Sequence, residues 1–101
     1  MTSRLELHAM LVEILGSKNV YFQPPSTIKM SYPAIVYSLG NIENRRADNS
    51  VYNTNKYYEL TLVTSNPDDE TVNKLNGLSM CSFDRFYTSD NLNHYVFTIY
   101  I

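Results

Sequence analysis

The sequence predicts an α+β domain in which two helices pack on a mostly antiparallel sheet, in the order α-β-β-β-α-β-β. Three observations carry that reading. Two segments, near residues 3–15 and 66–77, have helix-start residues at one end and a glycine stop at the other. Five segments rich in β-branched and aromatic residues lie outside them. In the longer of these, apolar residues recur every second position, as in a sheet with one covered face.

The first helix covers residues 3–15. Ser3 and Glu6 have the spacing of a capping box, in which each side chain bonds the other's backbone N–H. Leu7, Leu11 and Ile14 form one stripe, with Met10 and Leu15 beside it. Gly16 is the stop. Val20, Tyr21 and Phe22 make a short strand that Pro24 and Pro25 end. Residues 31–39 make a longer one, with Ile35, Tyr37 and Leu39 on one face and Ala34 and Val36 on the other. Pro33 marks its start or an edge position.

Residues 40–55, GNIENRRADNSVYNTN, are polar and have no period, so they are expected to form a long loop within the domain. Residues 56–64 are the clearest strand, with Tyr58, Leu60 and Leu62 on its apolar face. The second helix is expected to start at Asn66 as N-cap and Pro67 as first residue. Asp68, Asp69 and Glu70 would then lie in its first turn, where the helix dipole favours negative charge. Val72 and Leu75 face inward and Gly77 closes it. Residues 80–87 and 94–101 form a closing hairpin. Tyr95, Phe97, Ile99 and Ile101 share one face of its second strand.

At 101 residues the chain is one domain, 1–101. Hydrophobic residues are 44%, enough for a core, whereas charged residues are only 18%, so Asn, Ser, Thr and Tyr must supply surface polarity. Nine tyrosines suit either half-buried strand faces or protein interfaces. A net charge of −2 argues against a nucleic-acid binder, whose affinity rests on a basic excess. A single cysteine excludes an internal disulfide and a multi-cysteine metal site. The sequence has neither an apolar run of bilayer-spanning length nor a charged start followed by an apolar signal core. It is expected to be soluble, in a reducing compartment.

No catalytic, cofactor or metal site can be assembled from these residues, and the chain is not expected to be an enzyme. Asp68, Asp69 and Glu70 are consecutive in a helical reading and so do not converge on a cation. His8 and His94 have no partner assigned by sequence. Cys81 lies within a strand beside Phe83, where a small core residue is the simpler reading than a nucleophile. The candidate protein-interface residues are Arg45, Arg46, Asp48, Asn49 and Tyr52. Arg and Tyr dominate interface hot spots, and loops carry binding function. The competing reading is a solvated loop.

Three stretches carry a family resemblance: YPAIVYSLGNIENRRADNSVY (32–52), TLVTSNPDDETVNKL (61–75) and CSFDRFYTSDNLNHYVFTIYI (81–101). Together they resemble the tail-completion, or tail-terminator, proteins of long-tailed bacteriophages and prophages. The likeness runs from about residue 20 to the end and contains no mechanistic motif. It implies a structural virion protein at the head–tail junction, assembled in the host cytoplasm, that stops tube growth and helps join the head. The partners implied are further copies of the chain in a ring, commonly six, the tail-tube protein and a head-closure or connector protein. DNA would pass through the ring without specific binding, and no membrane is involved. A head-closure or adaptor role, or a non-structural phage protein that binds a host protein, stays open.

Overall fold

Leu7 and Leu11, one helical turn apart, have no exposed surface, and they seat the first helix on the sheet. The computed structural model describes residues 4–25, 29–47 and 50–100, and for residues 41–55 the description is of the backbone alone. The elements are α1 (Arg4–Leu15), β1 (Val20–Phe22), β2 (Ala34–Ala47), β3 (Ser50–Thr64), α2 (Thr71–Asn76), β4 (Cys81–Ser89) and β5 (Leu92–Tyr100). This is the expected α+β order. Gly16 takes φ +78°, a conformation that costs a residue without Cβ nothing, and its N–H bonds the Val12 carbonyl at 2.9 Å. Ser3 of the expected capping box lies outside the described residues.

The five strands form one sheet in the order β1-β2-β3-β5-β4. Only β1 and β2 are parallel. Register puts Ile35 opposite Leu62, Tyr37 opposite Leu60, and Leu60 opposite Phe97. These side chains share the face that the helices cover, and they are almost wholly buried. Burying each apolar side chain contributes about 1.5–3 kcal/mol. The period-two pattern therefore placed this core correctly in β2, β3 and β5. The opposite face, with Tyr57, Glu59, Thr61, Thr98 and Tyr100, carries no helix.

Residues 40–55 are not a loop. Residues 41–47 of β2 pair with residues 50–57 of β3, from Asn41 opposite Tyr57 to Ala47 opposite Ser50. The segment is polar and has no hydrophobic period, the signal by which a strand is read from sequence, so the reading missed it. β1 flanks β2 only from Ile35 to Tyr37, and β5 flanks β3 only from Tyr57 to Thr64. The distal half of the hairpin thus extends beyond the sheet as a two-stranded ribbon. The radius of gyration, 14.9 Å, exceeds the roughly 13 Å of a compact domain this long.

The second helix is shorter than expected, six residues beginning at Thr71. Asn66 instead accepts the Asp68 N–H at 3.0 Å, and Asp69 accepts the Thr71 N–H at 3.0 Å. Short polar side chains that bond the backbone two residues on make turns as readily as helix caps. The acidic run therefore lies ahead of the helix, not in its first turn. Gly77 ends α2 as expected, its N–H bonding the Asn73 carbonyl at 3.0 Å. Asp90 and Asn91, with φ of 53° and 64°, close the β4–β5 hairpin as a two-residue turn.

Candidate protein-interaction surface

The ribbon carries three of the five candidate interface residues. Arg45 lies opposite Asn53 and Arg46 opposite Val51, so Tyr52 is the extra residue at a register shift between them. Asp48 and Asn49 lie outside the described residues. Arg45, Arg46 and Tyr52 are thus brought together on one two-stranded segment by backbone pairing. A second register shift sits at the base of the ribbon, at Gly40. A Cβ placed on Gly40 would collide with the Cε2–Cδ2 edge of the Tyr57 ring. Glycine here lets that ring lie against the backbone of β2, and Tyr57 in turn packs on Tyr100 with centroids 5.5 Å apart.

The other notable surface is β4, which forms one margin of the sheet. Phe83 and Phe86 are each 48% exposed, and Met80 and Tyr87 are exposed beside them. Phe83 packs edge-on against Phe97, and Phe86 tilts against Tyr95, with centroids 5.5 and 5.0 Å apart. A spacing of three would normally put Phe83 and Phe86 on opposite faces. The bulge between Phe83 and Arg85 restores both to the helix-covered side, where they face Phe97 and Tyr95. This surface was missed by sequence reasoning. The break in period at Phe83 and Phe86 was its signal, since bulges concentrate at sheet edges. On the opposite face Arg85 bridges Asp84 at 2.6 Å and Glu59 at 3.5 Å. All three side chains are about half exposed, so water and salt leave these pairs little net energy.

The groups considered for chemistry are held by structural contacts. The His8 Nδ1 shares a 2.7 Å hydrogen bond with the Tyr37 hydroxyl. His94 stacks on Tyr87 with centroids 4.6 Å apart. Cys81 is half-buried, and burial pushes its thiol up to about 11, away from the thiolate form that nucleophilic attack requires. Burial alone would raise Asp69, but hydrogen bonds from Thr71 and Thr64 and the charge of Lys74 hold its carboxyl below the usual value. Beside it, Pro67, Val72, Asn73 and Tyr95 line a shallow depression of about 300 Å³. Among the described residues no group of three or more His, Cys, Asp or Glu side chains could hold a metal ion, and no helix is long and apolar enough to cross a membrane.

Comparison with protein-family models finds no match, and comparison with curated proteins finds no relative.

Proposed function

We propose that the chain is a ring-forming subunit at the head–tail junction of a long-tailed bacteriophage, where it terminates the tail tube and helps join it to the head. The observation that carries this reading is where the family-like stretches fall. Residues 32–52 supply β2 and the start of β3, including one side of the projecting ribbon. Residues 81–101 supply β4 and β5, including the exposed aromatic margin. The resemblance to tail-completion proteins thus covers the two surfaces best suited to protein contact. A ribbon reaching past its own sheet gives one subunit an arm for a neighbour or for the tube. Exposed Phe and Tyr side chains supply the large apolar area that interface cores favour. A rotationally repeated contact between two different surfaces closes into a ring.

The test is electron microscopy of lysates from the phage with this gene disrupted. Full heads beside tails of overgrown or irregular length are expected. Full heads beside unattached tails of normal length would indicate a head-closure or joining role instead. Normal infectious particles would overturn the reading.

A further inference from the structure

We propose that Arg4, Tyr37 and His8 form a directed hydrogen-bond chain that is complete only while the His8 imidazole is neutral, which makes the docking of α1 on the sheet a pH-sensitive latch. The inference is independent of the ring reading above. The direction follows from what each group can do. A guanidinium can only donate, and Arg4 Nη1 donates to the Tyr37 hydroxyl at 3.4 Å. The same guanidinium lies over the Phe22 ring, 4.5 Å from its centroid, which keeps it in place. The hydroxyl then has one hydrogen of its own to place. Tyr37 is buried, and His8 Nδ1 lies 2.7 Å away. The hydroxyl therefore donates to Nδ1, which must carry a lone pair, and the imidazole hydrogen sits on Nε2.

Protonation breaks this order. An imidazolium carries a hydrogen on both nitrogens. Two cationic donors would then converge on one oxygen, and the buried hydroxyl hydrogen would lose its acceptor. The elements packed against α1 are β1, β2 and α2. On β1, Tyr21 accepts the Ser31 N–H. On β2, the titratable group facing His8 is Tyr37 itself, and behind it Lys56 lies over the Tyr58 ring. On α2, Lys74 acts on Asp69. On α1, Glu6 is exposed, where water screens its charge. The unfolded chain takes up the proton freely, whereas the folded chain gives up a bond to do so. Stability therefore falls as pH drops through the histidine range. His94 is the contrast. Its Nδ1 lies 3.1 Å from the Leu92 carbonyl, which only accepts, so that nitrogen keeps its hydrogen in both charge states. The two histidines of the chain are thus opposite neutral tautomers.

Nitrogen-15 NMR of the full chain reads the tautomers, and urea unfolding reads the latch. Histidine changes charge between about pH 5 and about pH 8. At the upper value His8 is expected to show a bare Nδ1 and His94 a bare Nε2. A hydrogen on His8 Nδ1 there overturns the proposal. Tyr37→Phe keeps the ring and is expected to lower the urea midpoint at the upper value. At the lower value that shift is expected to shrink to about half, because the His8 bond is already lost and the Arg4 bond remains. His8→Ala keeps a good helix former, and in that background the Tyr37→Phe shift is expected to be the same at both values. A Tyr37→Phe shift that stays constant or grows in acid overturns the latch. So does a shift that still shrinks with His8→Ala.

Discussion

The hydroxyl of Tyr37 lies 2.7 Å from Nδ1 of His8 and 3.4 Å from Nη1 of Arg4, which ties the second strand to the first helix through a residue only 1% exposed. The Tyr37 ring also packs on Phe22 and Tyr58, with centroids 5.0 and 6.0 Å away. Tyr37→Phe keeps those ring contacts and loses only the polar bond. It is expected to cost about 1 kcal/mol in urea unfolding. Tyr37→Ala also opens a cavity and is expected to cost about 3–5 kcal/mol. Equal costs for the two variants would show that the hydroxyl, and not the ring, holds α1 in place.

Gly40→Ala should displace the Tyr57 ring that lies against it. The crowding is expected to cost about 1–3 kcal/mol, as overpacking generally does. Gly40→Ala combined with Tyr57→Ala should recover part of that loss relative to the sum of the single changes, because the smaller side chain leaves room for the new methyl. A double-mutant cycle in urea measures the coupling. Additive costs would contradict the contact.

Asp69 supplies a further pH dependence. Its carboxyl is held below the usual range in the folded chain. Such a group adds stability above its unfolded pKa, about 3.9, and loses it as pH falls through the lower folded value. Asp69→Ala also removes the acceptor for the Thr71 N–H and is expected to cost about 1 kcal/mol at neutral pH, as lost caps do. The gap between the two proteins should start to narrow as pH falls below about 3.9, where the unfolded chain's carboxyl protonates, and keep narrowing until pH passes the lower value of the folded chain. Urea midpoints measured from neutral to acid pH check this. A gap that stays constant would remove Asp69 from the account.

The sequence was most informative where a residue's partner is local or its face is buried. Leu7 and Leu11 announced α1, Gly16 its end, and Tyr37, Leu60 and Phe97 the covered face of the sheet. It was least informative where the governing contact is remote. Residues 41–47 pair with β3, yet their sequence is polar and shows no alternation that periodicity could detect. Asn66 and Asp69 make turn bonds with the same atoms they would use as helix caps. The marginal position of β4 is set by the order in which distant strands pair, and no local pattern states it. Of the candidate interface set, Arg45, Arg46 and Tyr52 fall on one ribbon, although they were assigned to a loop.

The central proposal is that the chain sits at the junction of head and tail of a long-tailed phage. Labelling virions of the encoding phage with gold-conjugated antibody against this chain tests it most directly. The account predicts a single site of label per particle, at the head-proximal end of the tail. Label along the tube, at the tail tip or on no particle would contradict it.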